Sequence, residues 1–543
     1  MSGQPATRRD FLLASGAALV AAAGTPPVLR RQAGHDLVIR GGTVFDGTGA
    51  PGVERDVAIT GDRITAVARR IAGKGSDEID ARGLAVAPGF IDIHSHGDGS
   101  LDVDPRAESL IRQGITTIIA GQDGDSGATG DADHSFAALF QTIDGYAPSV
   151  NVASMVGLGA VRGAVVGDKD RPATGDEIAR MTAMVERALA DGACGASSGL
   201  EYTPGAFASR EELIALCRPL AARRLPYATH MRNEDDRLLE AIDEAIAVAA
   251  GAQCPLQISH LKTEGPRNWG KLDTVFARVG AARKAGLDVA FDRYPYTAYQ
   301  TGLTNLFPVW SRDGGIDGFL GRLDDSATAG RIRKETLAKI DLLGGWNNVM
   351  VTSVRDSADK AVEGQRLGDY SRQVGADPYD LAAALIRRSR GGVGMAGFAM
   401  SEKNLDRILS HPLGMVCSDG GAFAVDGPTH RGSPHPRGLG TFPRVLGRYV
   451  RERKVLTLPR AVHKMSGFPA ERVRLADRGR VAPGLAADIV VFDPATVADR
   501  ATYEQPFQYP VGISAVIVNG VPAFRHGERE GKGNGRALRA SKP

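Results

Sequence analysis

Cysteine is scarce in this chain. Its 543 residues hold four, Cys194, Cys217, Cys254 and Cys417, and no two form a C-x-x-C pair. That spacing offers no disulfide framework. Three sit among apolar or small residues, where a free thiol serves as a small core residue. Net charge is nearly absent too. Lys and Arg number 66 against 63 Asp and Glu, a balance of +3. This excludes the clustered basic face of a nucleic-acid binder. No apolar run is long enough to span a bilayer, so no stable membrane anchor is expected. No internal repeat recurs, which excludes a solenoid or propeller. No G-x-G-x-x-G follows a strand and opens a helix, which counts against a dinucleotide-binding doubly wound sheet.

What remains is ordinary globular composition, 43% apolar and 24% charged. The length suits one large domain plus a smaller one. Residues 1–33 read as a targeting segment and linker. Arg8-Arg9 precede Phe11 and Leu12, an apolar stretch runs to Ala23, and Ala21-Ala22-Ala23 offers a cleavage site. This pattern is that of a twin-arginine export signal, which implies a periplasmic or extracellular location.

Residues 34–88 alternate apolar and polar positions between turns such as Gly41-Gly42 and Gly61-Asp62. Residues 476–530 mirror them, with strands expected at Asp488–Phe492 and Ala515–Gly520. The two chain ends are therefore expected to pair into one small β-sandwich, with the middle inserted into it. Residues 89–475 alternate short apolar runs with amphipathic segments. One is Thr174–Ala190, where Thr174 and Glu177 fit a capping box. The fold class expected is α/β, a (β/α)8 barrel inserted in the sandwich. A doubly wound sheet is the runner-up. Residues 300–410 fit the alternation poorly and read as an insertion beside the site, a candidate lid. The basic residues of 531–543 read as a solvated tail.

The chemistry gathers where apolar runs end. Pro88–His96 is a strand that closes on His94-Ser95-His96, and residues two apart in a strand share a face. His230 and His260 close later runs, and Asp123 and Asp419 follow two more. In a barrel these positions lie at strand C-termini, where active groups sit. Imidazoles and carboxylates together suit zinc or a similar divalent ion. Each has a simpler reading: a hydrogen-bonded structural histidine, or an aspartate that only caps a helix. His134, His411 and His463 are assigned to the structural class. The joint pattern favours a metal site for the others.

These stretches resemble the N-acyl-D-amino-acid deacylases (D-aminoacylases) of the amidohydrolase superfamily, over about residues 36–540. The resemblance rests on Pro88–His96, Gln113–Thr117, Ser197–Gly205, Thr229–Arg232, Ile258–Lys262, Asp292–Tyr296, Ser418–Gly420, His435–Arg444 and Pro483–Asp488. It implies that His230 and His260 hold the main zinc, with His94 and His96 at a second position, so one or two divalent ions. It implies that Asp419 is the general base for the attacking water and then the acid for the leaving amine. Lys262, Tyr294 and Arg437 would bind the substrate carboxylate. Two departures stand out. The family has Asn-Cys-Gly, its Cys a zinc ligand, where this chain has Gln122-Asp123-Gly124. Asp123 can still ligate, but as a harder donor. Leu158 stands where relatives often carry His. Glu201 is either a further ligand or a loop carboxylate paired with Arg232.

The function expected is metal-dependent hydrolysis of N-acyl-D-amino acids to a carboxylate and a free D-amino acid. The alternatives are another amide hydrolase on the same scaffold, acting on cyclic amides or D-residue peptides, and a silent binding protein that kept its metal. Leu303, Leu306, Phe307 and Trp310 follow the Tyr294–Tyr296 strand and are expected to favour an apolar D-residue.

Overall fold

Strands from both chain ends share one sheet. The computed structural model describes residues 34–541, so the segment expected to be an export signal lies outside the described residues. Leu37–Val44 pairs with Val53–Thr60 on one side and with Ala85–Pro88 on the other. Ala85–Pro88 then pairs antiparallel with Ile489–Phe492, which leads on to Ile513–Val518 and Val521–Arg525. Period-two alternation explains the stacking. Ile489, Val491, Ala515 and Ile517 meet Leu37, Ile39, Val57 and Ile59 in an interior of the sheet's own. The intervening Val490, Phe492, Val516 and Val518 point the other way and join the main core.

That main core belongs to a parallel barrel. Its strands are Phe90–Asp92, Ile115–Ala120, Asn151–Ser154, Ala196–Gly199, Tyr227–His230, Leu256–Ile258, Val289–Arg293 and Gly414–Val416. The last closes on the first. Asp419 N donates to His94 O at 2.8 Å, and His96 N donates to Gly420 O at 2.9 Å. Both faces of these strands are buried, so they carry no polar alternation, as expected of a parallel sheet. The fourth strand, Ala-Ser-Ser-Gly, is not among the strands expected from sequence, because it has no β-branched or aromatic residue. Around the barrel lie amphipathic helices. Gly175–Asp191 begins with the expected capping box: Glu177 N donates to Thr174 Oγ1 and Thr174 N to Glu177 Oε2. It ends at Gly192, whose φ of 118° favours glycine.

The insertion between the seventh and eighth strands is a packed layer rather than a loose flap. Ala298–Gly302 and Val349–Val354 flank Val393–Phe398 in an antiparallel sheet. Four helices pack on it: Gly315–Asp324, Ser326–Leu343, Leu367–Val374 and Pro378–Arg388. Leu303, Leu306 and Phe307 are buried in this layer's core, beside Phe319 and Met395.

The C-terminal tail is not free in solvent. Val152 N donates to Arg536 O, and Leu538 N to Val152 O. Ala540 N then reaches Gly192 O, while Cys194 N bonds Ser154 O. The tail thus runs beside the third strand, between it and the start of the fourth. Ala537 and Leu538 are each 7% exposed. Composition suggested solvation because its Gly, Lys and Arg residues mask two apolar anchors. A chain ending at residue 532 is expected to lose about 3 kcal/mol or more, from one buried leucine and several backbone hydrogen bonds. A fall in urea midpoint relative to the full chain checks this.

Candidate metal and active site

The C-terminal ends of the barrel strands bring the predicted residues together. His94, His96, Asp123 and Asp419 form one group able to hold a metal ion, and Asp123, His230 and His260 form another. Asp123 belongs to both. Its Oδ1 lies 3.4 Å from His94 Nε2 and 3.5 Å from His260 Nε2. Its Oδ2 lies 3.5 Å from His96 Nε2. A single carboxylate thus faces two histidine pairs. His230 Nδ1 stands 3.0 Å from His260 Nε2.

Local backbone fixes these positions. Asp123, His260 and Asp419 have φ of 53°, 35° and 51°, in the left-handed region. Such residues cost ~1–3 kcal/mol each and persist where surroundings over-determine them. His260 N is held by Asp292 Oδ1 at 2.7 Å, and Asp419 N by His94 O. Gly124 follows Asp123 in a close approach, since a Cβ there would lie 2.7 Å from Gly199 N. Neither Asp123 nor Asp419 caps a helix.

The donor set fits a divalent cation. Both ring nitrogens of His94, His230 Nε2 and Asp123 Oδ1 are buried without a hydrogen-bond partner among the described residues. Carboxylates crowd the histidines. Burial works against a charge on His230, yet Glu234, Glu201 and Asp123 outweigh it and push the ring up to about 9. A site that raises histidines this way draws positive charge. Two imidazole nitrogens and a carboxylate oxygen suit zinc-like coordination.

Asp419 is placed for proton transfer. Its Oδ1 lies 3.3 Å from His96 Nε2, and its Oδ2 accepts from Arg437 Nη1 at 2.6 Å. Burial alone would raise its carboxyl, but Arg437 and His94 hold it well below the usual carboxylate range. Arg437 opens the helix Arg437–Arg444 and stacks over Tyr294 at 4.7 Å. The Tyr294 hydroxyl is buried and has no partner among the described residues. Lys262 is occupied: its Nζ donates to Glu234 Oε2 at 2.6 Å. Glu201 Oε2 sits 3.4 Å from His230 Nε2. Arg232 pairs instead with Glu244 and the carbonyls of Ala206 and Ala208. Leu158 starts a helix and is buried in the core. His411 stacks on Phe276 and His463 bonds Gly47 O, the structural roles expected of them.

Glu234 is the residue that sequence reading missed. It is 3% exposed. Its Oε1 lies 3.1 Å from His260 Nδ1 while Oε2 takes Lys262. A carboxylate behind a ligand histidine fixes its tautomer and orientation. The available signal was its place four residues after His230. The cavity over the site has a volume of about 700 Å³. One wall comes from the insertion, through Tyr299, Gln300, Thr301, Asn305 and Lys339. The apolar wall expected from Leu303, Leu306 and Phe307 is absent, because those side chains turn into the insertion's own core. Trp310 is tied to Glu335 through its Nε1.

Comparison with known proteins agrees with this geometry. The amidohydrolase family model matches residues 77–307 and 414–524, skipping most of the insertion. The chain belongs to the amidohydrolases, and within them to the D-aminoacylases. It is 37% identical to an N-acyl-D-glutamate deacylase of Alcaligenes xylosoxydans xylosoxydans, over 90% of this chain and 93% of that one. It is 35% identical to a D-aminoacylase of the same organism, covering 93% and 97%. The solved N-acyl-D-glutamate deacylase of Bordetella bronchiseptica superposes with a TM-score of 0.80 at 35% identity, covering 93% of this chain and 100% of that one. That structure holds zinc and a phosphonate inhibitor that mimics the tetrahedral intermediate. The barrel, the D-aminoacylase resemblance and the metal dependence expected from sequence are all borne out.

Two outcomes follow for this D-aminoacylase relative. Glu234→Gln should weaken zinc binding about 10–100-fold, read by competition with a chromogenic chelator. Asp123→Cys should shift selectivity toward zinc over manganese relative to the parent, read by metal analysis after dialysis against both ions.

Proposed function

We propose that the chain hydrolyses N-acyl-D-amino acids to a carboxylate and a free D-amino acid. The observation that supports this most is Asp419, set with one oxygen toward the histidine cluster and the other on Arg437. A zinc ion bound there would polarise the acyl carbonyl and lower the pKa of a water toward ~7. The chain's own groups do the rest. Arg437 offers the substrate carboxylate a guanidinium fork, and Tyr294 a free hydroxyl beside it. As Arg437 turns to that carboxylate, its hold on Asp419 weakens and Asp419 becomes the stronger base. Asp419 accepts a proton from the attacking water and returns it to the leaving amine nitrogen. Lys262, paired with Glu234, steadies His260 and reaches the substrate only if Glu234 releases it.

The same reading includes export. Arg8-Arg9 and the apolar stretch after them support a twin-arginine route to the periplasm or exterior. No described helix is long and apolar enough to cross a membrane.

Zinc-supplemented protein should release amine from N-acetyl-D-amino acids, lose that activity to a chelator, and leave the L series intact. Asp419→Asn should lower kcat by about 10²–10⁴-fold while metal is still held at Asp123, His230 and His260. Equal turnover of both series, or full activity in Asp419→Asn, would overturn the reading.

A further inference from the structure

Asp123 faces the histidines from the cavity, and a second aspartate stands behind them. Asp292, on the seventh barrel strand, is 1% exposed and lies outside the cavity lining. Its Oδ1 accepts from His260 N at 2.7 Å and lies 3.7 Å from His94 Nδ1. Asp123 Oδ1 meets the same two residues from the other side, at Nε2 of each ring. The rings of His94 and His260 stand 5.0 Å apart between centroids. One histidine from each metal group is therefore bracketed by two carboxylates.

Asp292 is itself held in place. Its Oδ2 accepts from Gln257 Nε2 at 2.6 Å, and Gln257 Oε1 accepts from Arg472 Nε at 3.1 Å. A guanidinium only donates, so Arg472 fixes which way the Gln257 amide points. Among the described residues, His94 is the only basic side chain within 4 Å of the Asp292 carboxylate. The chemistry of a ligand histidine then limits the choices. To bind a cation through Nε2, a neutral ring must carry its proton on Nδ1. His94 Nε2 faces Asp123 and Asp419, the side where a cation would sit. His94 Nδ1 is buried and has no partner at hydrogen-bond distance. An N–H left so is costly, and Asp292 Oδ1 is the acceptor facing it.

We propose that Asp292 is a positioning residue of the metal site, its Oδ1 accepting from both the His94 Nδ1–H and the His260 backbone N–H. It sets the tautomer of the first histidine and the place of the second. Glu234 stands in the same relation to the His260 ring, so each bracketed histidine has a carboxylate behind it. The proposal rests on the metal reading of the site and is independent of which acyl amino acid is cleaved. Closing the gap to His94 takes a ring shift of about 0.5–1 Å.

Asp292→Asn tests this. The new amide cannot turn its oxygen to the histidines without turning its NH2 toward Gln257 Nε2, a second donor. Zinc affinity should fall about 10–100-fold by chelator competition. The visible absorption of the cobalt-substituted protein should shift, and kcat should fall with KM within about twofold of the parent, because Asp292 does not touch the cavity. Adding Gln257→Glu restores a matching donor and acceptor pattern and should return affinity and spectrum toward the parent. Asp292→Asn that lowers the urea midpoint but keeps the parent's zinc affinity and cobalt spectrum overturns the proposal. So does a failure of Gln257→Glu to restore them. If neither variant folds, a crystal structure of the zinc-loaded parent decides. His94 Nδ1 at about 2.7–3.2 Å from Asp292 Oδ1 supports the role, and a water, another acceptor or the metal on Nδ1 overturns it. A parent that binds no zinc sinks the metal reading itself.

Discussion

The site exists because the eighth barrel strand closes on the first. Asp92 at the end of the first strand accepts from both the backbone N and the hydroxyl of Ser418. Asp92 is fully buried. Burial raises its carboxyl, to about 7, against the pull of those two donors. Next to this contact the backbones of His94 and Asp419 are joined. Residues more than three hundred positions apart in the chain become hydrogen-bonded neighbours. The histidine pair therefore faces the aspartate without further help from loops. Five of the six other strands then add a residue to the same rim, Asp123, Glu201, His230, His260 and Tyr294, while the third leads only to the buried Leu158.

Much of this was legible in the sequence. His94-Ser95-His96 at a strand end, and lone His and Asp residues closing later apolar runs, mark one rim of one barrel. The three left-handed residues Asp123, His260 and Asp419 were visible only as identities. Glu234 was not legible, because a carboxylate four residues past a histidine reads as a solvated loop until burial is known. The fourth strand escaped because its small residues carry no propensity signal. Leu303, Leu306 and Phe307 misled for the opposite reason. Their apolarity is real, but it serves the insertion's core, and Asn305 between them faces the cavity.

Asp123, standing where the resemblance implies a cysteine, alters more than one ligand. A thiolate is one soft atom, whereas a carboxylate has two hard oxygens that can face different ions. In this chain those oxygens face different histidines. The carboxylate joins Glu201, Glu234, Glu264 and Asp419 in a cavity whose lining cations are Lys339 and Arg437.

The docked tail has a consequence for biosynthesis. Residues 536–540 fill the seam between the third and fourth strands, and the strands at 489–525 complete the end sheet. A nascent chain that has not reached residue 489 lacks both. The contacts of that seam with the tail are missing until residues 536–540 have left the exit tunnel. A chain that lacks residues 536–540 leaves the Val152 N–H and C=O groups without those partners, and so carries an exposed strand edge.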